Sequence, residues 1–164
     1  MGPRANSTAS PDLRSAHPVL YLMAAAVILA GVFGLWATRL DAPYTGRHDN
    51  NTAWVHIAAS NYLRLGYGTL KLGQVRNADP QSHAPLNYYR HHPPLVSLLA
   101  SFSIRLFGNH EASVRLVPMF LTLISGAAVF ALAKRGYGSR VALLSLLLFV
   151  TTPMIAFYGQ MANH

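Results

Sequence analysis

The fold is decided by a stretch of twenty uncharged residues, VLYLMAAAVILAGVFGLWAT at positions 19–38. A helix of this length rises about 30 Å, which matches the hydrocarbon core of a bilayer. Tyr21 and Trp36 lie near its two ends, where aromatic side chains favour the membrane interface. The apolar core of a cleavable signal peptide is shorter, about 7–15 residues, so we interpret the stretch as a retained first span.

The composition of the whole chain agrees with a membrane location. Of its 164 residues 52% are hydrophobic and 11% charged, against roughly 25% charged in an average soluble domain. The absence of cysteine excludes disulfides, thiolate zinc sites and cysteine nucleophiles. The net charge of +8 is explained by membrane topology and anionic lipid, so membrane lipid is an expected partner and nucleic acid is not.

Two more apolar segments are long enough to cross the bilayer. We therefore predict an all-α polytopic membrane protein with three transmembrane helices, and we expect Pro118 and Pro153 to kink their helices. The predicted spans lie near 19–39, 112–133 and 141–158, with a flexible cytoplasmic tail over 1–18 and a long outer loop over 40–93.

A shorter apolar segment, residues 94–107, contains Arg105 and is predicted to be an interfacial helix. The decision rests on a basic loop of about seven residues, which marks the cytoplasmic side of a membrane. With the N-terminus inside, this loop is cytoplasmic only if residues 112–133 alone cross the membrane between the outer loop and the basic loop. If residues 94–107 also crossed, the basic loop would lie outside. Its basic residues are Lys134, Arg135 and Arg140.

The outer loop begins with a predicted amphipathic helix, DNNTAWVHIAASNYLRLG at 49–66, which would lie along the membrane surface. One side carries apolar residues and the other carries polar residues every four positions. The apolar side has Trp54, Ile57, Ala58 and Leu65, and the polar side has His56, Ser60 and Arg64. The following stretch to Arg90 is rich in turn residues, and no regular secondary structure is predicted for it.

Asp49 is a candidate general base, and two roles are open for it. It is one of five acids in the chain and opens the amphipathic helix, where aspartate is also a preferred cap. The roles are compatible, because a capping carboxylate at the membrane surface is fixed in place and can accept a proton.

The end of the outer loop carries Arg90, His91 and His92, followed by two prolines. Arginine and histidines can hold a phosphate by charge-assisted hydrogen bonds. Alternatively His48, Asp49 and His92 would offer ligands to a divalent metal ion, although their spacing matches no zinc motif. The prolines could also simply begin the next helix. No cofactor is assigned, and a divalent ion is left open.

Several well-known signatures are missing from the sequence. There is no GxxxxGK[ST] loop, no GxGxxG opening a helix and no HExxH. Nucleotide-driven transport, Rossmann cofactor binding and zincin proteolysis therefore lack support.

The order of motifs resembles the polytopic GT-C glycosyltransferases. The nearest groups are glycosyltransferase family 39, which contains the dolichyl-phosphate-mannose-protein mannosyltransferases, and the lipid A aminoarabinose transferase-like proteins. The likeness runs from about residue 19 to 164. It is carried by the acid after the first span, then NYLRLG, YYRHHPPL, FGNHEASVRLVP and PMIAFYGQMANH.

The resemblance implies transfer of a sugar from a polyprenyl-phosphate donor to an acceptor on the extracytoplasmic face, in a bacterial inner membrane. It implies that Asp49 activates the acceptor and that His92, before two prolines, lies near the donor phosphate. Glu111 and Arg115 match the Glu and Arg that open the following span, and with Arg90, His91 and His92 they are the predicted binding residues for the substrate and the donor phosphate. Asn163 and His164 fall where the second outer loop begins.

Two positions depart from the family pattern. Asn50 follows Asp49, where many relatives have a second acid, so a pair of acids bridging a metal is in doubt. His92 replaces the usual lysine, and histidine is cationic only part of the time near neutral pH. The negative charge of the donor phosphate could then be neutralised by Arg90 or by a bound ion.

Family members usually have more spans, so we expect the chain to be the N-terminal part of a GT-C fold and inactive alone. The alternative is a non-catalytic three-span scaffold that binds lipid or a partner. A piece of a transporter ranks third, because the predicted spans contain no acids.

Overall fold

The computed structural model describes residues 18–45, 49–79 and 85–162. Within them the chain is mostly helical, with one small antiparallel sheet of two short strands, and the helical class predicted from the sequence is confirmed. The elements are α1 (Pro18–Ala37), α2 (Asp49–Leu65), β1 (Gln74–Val75), β2 (Tyr88–Tyr89), α3 (Leu95–Phe107), α4 (Glu111–Tyr137), α5 (Ser139–Thr151) and α6 (Pro153–Tyr158). The predicted tail, apart from Pro18, lies outside the described residues, as do His48, Asn163 and His164.

Three helices, α1, α4 and α5, pack side by side as an apolar bundle. Their common core contains Ala25, Phe130, Ala142, Leu146 and Val150. Small residues let the helices approach closely: a Cβ on Gly126 would lie 3.2 Å from Leu29 and 3.3 Å from Leu146.

Side-chain contacts fix the direction of each helix in the bundle. Arg140, at the start of α5, donates to the Tyr21 hydroxyl at the start of α1. The Trp36 indole, at the end of α1, donates to the carbonyl of Ala156 in α6. The chain from α5 to α6 therefore runs parallel to α1. Phe33 near the end of α1 packs on Phe120 near the start of α4, so α4 is antiparallel to α1.

Two of these helices, α1 and α4, are long and apolar enough to cross a membrane. They coincide with the first two predicted spans. The segment predicted as the third span is divided into α5 and α6 at Thr152–Pro153, where the proline has no N–H to continue the helix. The expected kink at Pro153 is therefore confirmed as a break, whereas Pro118 lies inside α4, which continues past it as one helix. The third span stays a prediction.

The end of the bundle opposite Arg140 carries α2, α3 and the two strands, and we call this part, together with the first two turns of α4, the outer assembly. Its core contains Val55 and Ala59 of α2, Ala100 and Ile104 of α3, with Val114 and Ala162. Helix α3 is the predicted interfacial segment, and its 13 residues rise only about 20 Å, too little to span. It packs between α2 and α4.

The helix predicted at the start of the outer loop is confirmed as α2, but its apolar side was only partly identified. Ala58 is buried, as predicted, whereas Trp54, Ile57 and Leu65 are half-buried. The fully covered positions are Thr52, Val55, Ala58, Ala59, Asn61 and Tyr62. The difference arises because α2 is covered on more than one side, by α3 and by the stretch that contains β1.

The stretch after α2, for which the sequence predicted no regular structure, forms a small hairpin. Gln74 pairs with Tyr89 and Val75 with Tyr88. Leu70 and Val75 pack with Tyr62 of α2 in a third small core. The chain leaves α2 through Gly66, whose φ of +86° is readily adopted only by glycine.

Candidate active site

Arg115, in the second turn of α4, organises the outer assembly. Only 6% of the residue is exposed. Its Nη1 donates to the carbonyls of Arg39 at 3.2 Å and Leu40 at 3.1 Å, and also to that of Ala42. One guanidinium therefore fixes the chain that leaves α1.

The second guanidinium nitrogen of Arg115 faces Asp49. Nη2 lies 3.6 Å from the Oδ1 atom of Asp49, and the side chains are 7% and 14% exposed. Asp49 is in the first turn of α2, where a negative charge is favoured by the helix dipole. The pair opens onto a small cavity of about 160 Å³, which Thr45, Gln160 and Met161 also line. The acid and the arginine predicted from the sequence thus lie together.

Tyr44 joins this ion pair to the next part of the site. Its ring lies 4.9 Å from the guanidinium carbon of Arg115, and its hydroxyl contacts Nδ1 of His56 at 3.1 Å. Burial raises the pKa of the Tyr44 hydroxyl; the nearby Arg115 opposes this, while Glu111 and Asp49 add to it. The charges of the predicted residues Asp49, Glu111 and Arg115 therefore all influence the pKa of the Tyr44 hydroxyl.

A larger cavity of about 470 Å³ lies on the other side of Tyr44, between α2 and the start of α4. The polar face of α2 predicted from the four-residue spacing lines it, together with Asn61 and Asn109. Asn109 Oδ1 lies 2.8 Å from His56 Nε2 and accepts a hydrogen bond from the Ser60 hydroxyl at 3.0 Å.

The corner formed by Arg90, His91 and His92 is held by a different set of contacts. Buried Gln74 donates to the carbonyls of His92 and Pro93 at 3.2 and 3.3 Å, and its own Oε1 accepts from Ser97 at 2.8 Å. The Tyr89 hydroxyl lies 2.5 Å from His92 Nδ1. The side chains of Arg90, His91 and His92 are exposed.

This corner is attached to α2 through a stack of aromatic and cationic groups. The guanidinium carbon of Arg76 lies 3.3 Å from the ring centre of Tyr89 and 5.2 Å from that of Trp54 in α2. Both sets of predicted residues therefore belong to the outer assembly, at the end of the bundle opposite Arg140. The structure brings Asp49, Glu111 and Arg115 together, whereas Arg90, His91 and His92 form a separate group.

Within the described residues no three His, Asp or Glu side chains are placed to share a metal ion. Of the metal candidates, His48 lies outside the described residues, while Asp49 faces a guanidinium and His92 faces a tyrosine hydroxyl. The described residues do not fit a metal site.

Sequence reasoning missed Tyr44, Asn61 and Asn109. Asn61 lies among apolar residues of α2, and its burial follows from contacts with β1. Asn109 is part of the short GNHE connection, where its position beside α2 depends on how α3 packs. The signal that was available, the four-residue spacing of His56, Ser60 and Arg64, did identify the face that lines the larger cavity.

Comparison with known proteins gives one family. Residues 91–164 match the family model described as dolichyl-phosphate-mannose-protein mannosyltransferase. The match covers a little under half of the chain and includes His91, His92, Glu111 and Arg115, but neither Asp49 nor Arg90. Neither the curated proteins nor the solved structures gave a significant match. The resemblance to GT-C glycosyltransferases is confirmed over the matched residues, and with the two apolar helices it indicates a membrane protein.

Proposed function

We propose that this chain forms part of a glycosyltransferase site that moves a sugar from a polyprenyl-phosphate donor to an acceptor on the extracytoplasmic face. Asp49 is the general base in this proposal. The observation that carries it is the ion pair of Asp49 with Arg115. Arg115 belongs to the family-matched stretch, and the pair connects that stretch to an acid outside it.

In the reaction, the Asp49 carboxylate accepts a proton from the acceptor nucleophile. The nucleophile attacks the anomeric carbon of the sugar, and the bond from that carbon to the phosphate oxygen breaks. The electron pair of that bond stays on the lipid phosphate, which leaves with the prenyl chain in the bilayer. A general base of this kind contributes typically about 10²–10⁴-fold to the rate.

Arg115 acts in the proposal as a positioning residue for Asp49. Its Nη1 is occupied by backbone carbonyls and its side chain is buried, so little of it is available to a phosphate. Glu111, one turn earlier in α4, is half-buried and lines the larger cavity on the substrate side.

The donor phosphate is assigned to the exposed side chains of Arg90, His91 and His92. Arginine offers paired N–H donors that match phosphate oxygens. Gln74 and Ser97 fix the backbone of this corner, so its side chains start from a defined position. A phosphate at the membrane surface would leave the prenyl chain within the bilayer.

The proposed topology has three spans, with α5 and α6 together forming the third. Contacts at both ends support it: Arg140 meets the start of α1, and Ala156 meets its end. The basic end, with Lys134, Arg135 and Arg140, would face the cytoplasm together with the tail over 1–18. The outer assembly would then face outward in a bacterial inner membrane.

The donor class is tested by a transfer assay on the full-length gene product in proteoliposomes. Polyprenyl-phosphate sugars and the corresponding nucleotide sugars are offered with candidate acceptors. We expect transfer from the lipid-linked donors only, and a higher KM for the donor in Arg90→Gln with a smaller change in kcat. Transfer from nucleotide sugars, or from none of the lipid-linked donors, would contradict the proposal.

A further inference from the structure

The larger cavity, between α2 and the start of α4, has the properties of a ligand site in its own right. Its volume of about 470 Å³ lies within the range of about 300–1,000 Å³ typical of small-molecule sites. Asp49 and Arg115 line the smaller cavity, and Tyr44 lies between the two.

Asn61 supplies the observation that calls for a ligand. Its Nδ2 donates to the carbonyls of Val75 at 2.9 Å and Asn77 at 3.0 Å, which fixes the orientation of the amide. Its Oδ1 is buried and has no hydrogen-bond partner among the described residues. A buried acceptor without a donor is costly, and because Asn61 is one of the residues that line the cavity, a bound ligand is the candidate donor.

The rest of the wall also offers acceptors. Asn109 Oδ1 can only accept, so His56 Nε2 carries the hydrogen between them. His56 Nδ1 then accepts from the Tyr44 hydroxyl, while the Ser60 hydroxyl donates to Asn109. The hydrogens of these three side chains are used within the wall. A ligand therefore meets hydroxyl lone pairs, the Glu111 carboxylate and the Asn61 carbonyl as acceptors, and the N–H groups of Arg64 and Asn109 as donors.

The charges at the cavity favour a neutral ligand over an amine. Glu111 carries the only acidic side chain among the described lining residues, and Arg64 lies at the same cavity with the opposite charge. A ligand with several hydroxyl groups can donate to these acceptors and accept from these donors without adding charge.

We infer that this cavity binds a neutral sugar ring, with one sugar hydroxyl donating to Asn61 Oδ1. The need for a donor at Asn61 Oδ1 follows from the structure, whereas the choice of a sugar among hydroxyl-rich ligands rests on the proposed function. The inference deepens that function by giving the sugar a place beside the Asp49–Arg115 pair.

The test uses the chain in lipid nanodiscs and ligand-observed saturation-transfer NMR. The probe is methyl α-D-mannopyranoside, and its comparison is 2-methoxytetrahydropyran, which keeps the ring but lacks the hydroxyls. We expect saturable binding of the mannoside and at least about tenfold weaker binding of the hydroxyl-free ring. Equal binding of both, no saturable binding, or a preference for D-glucosamine would overturn the inference.

Two matched variants locate the binding. Ser60→Leu places a larger side chain in the cavity, while Ser125→Leu makes the same change at an exposed position of α4. We expect at least about tenfold weaker binding in the first and unchanged binding in the second. Equal binding in both folded variants would overturn the assignment, and the ligand comparison decides the matter if Ser60→Leu does not fold.

The binding test is separable from the catalytic proposal. Asp49 does not line this cavity, so Asp49→Asn is expected to bind the mannoside like the wild type. Binding that survives while transfer with polyprenyl-phosphate donors cannot be detected would contradict the proposed function alone. Transfer without sugar binding in this cavity would contradict the inference alone.

Discussion

The apolar bundle and the outer assembly are built on different principles. In the bundle, large apolar side chains such as Val27, Ile124 and Leu148 are more than 60% exposed. A bilayer would cover them, so the bundle does not need to bury them against protein. Its interior contacts are made by small or apolar residues.

The outer assembly instead buries polar groups and satisfies most of them with specific partners. All the polar residues found buried in the described part of the chain lie between positions 52 and 115. They are Thr52, Asn61, Gln74, Ser97, Ser101, Ser103, Ser113 and Arg115. Fixed hydrogen-bond partners define side-chain positions more narrowly than apolar packing does. The side chains with closely defined positions, which a chemical reaction requires, therefore lie in the outer assembly.

The largest effect is expected from removing the central charge of the outer assembly. Arg115→Met removes the ion pair to Asp49 and the hydrogen bonds to several backbone carbonyls. We expect a loss of about 3–5 kcal/mol in the free energy of unfolding, measured by denaturant titration in micelles. Arg105→Met, at an exposed position of α3, is the control and should change it by less than about 0.5 kcal/mol. Equal effects of the two would contradict the central role of Arg115.

Within the bundle, the sensitive positions are those where helices approach closely. Gly126→Leu would place a side chain against Leu29, Leu146 and Phe149 and should lower the stability by about 1–3 kcal/mol. The same change at Gly31 meets nothing within 4 Å and should not lower it. Thermal unfolding of both variants in the same lipid makes the comparison. A harmless Gly126→Leu would mean that the bundle is loosely packed.

A single buried hydroxyl tests the hydrogen bonds by which Gln74 and Ser97 hold the corner formed by Arg90, His91 and His92. Ser97→Ala removes the donor to Gln74 Oε1 and leaves that acceptor buried. We expect a loss of about 1–2 kcal/mol in the free energy of unfolding. Ser125→Ala, at an exposed position of α4, is the matched control. If the two variants unfold alike, the network does not distinguish the outer assembly from the bundle.

The smallest effect concerns alkaline pH. Burial raises the pKa of Tyr62 to about 12 from the usual value of about 10. Because the pKa of Tyr62 is raised only in the folded state, its contribution to the free energy of unfolding is fully present below pH 10. That contribution is lost as the pH rises towards 12. Tyr62→Phe should therefore make the decline in stability over this range shallower. Tyr137→Phe, at a side chain 79% exposed, should leave the slope as it is.

The two regions also differed in how far the sequence predicted them. The positions of α1 and α4 followed from hydropathy, because a bilayer fixes the length and apolarity of a span. The polar spacing of α2 identified the face that lines the larger cavity, and Pro153 identified the break before α6. These features depend on neighbours along the chain or on the surrounding solvent.

The geometry of the outer assembly depends on contacts distant in sequence, and the sequence alone did not predict it. The spacing of Asp49 and Arg115 does not reveal their ion pair, since it requires α2 and α4 to meet. The hairpin of β1 and β2 has two-residue strands, too short for an alternating pattern to be read. The partly misassigned face of α2 has the same origin, because a helix covered on several sides does not follow a two-sided pattern.

The central claim is that Asp49, held by Arg115, accepts the proton of the acceptor. The most direct measurement is the transfer rate of full-length Asp49→Asn beside that of Asp41→Asn, an exposed acid in the same loop. With folding and membrane insertion verified for both, we predict that Asp49→Asn loses about 10²–10⁴-fold in kcat, roughly 3–5 kcal/mol of barrier, while Asp41→Asn keeps its rate. Turnover by Asp49→Asn at the wild-type rate would contradict the claim.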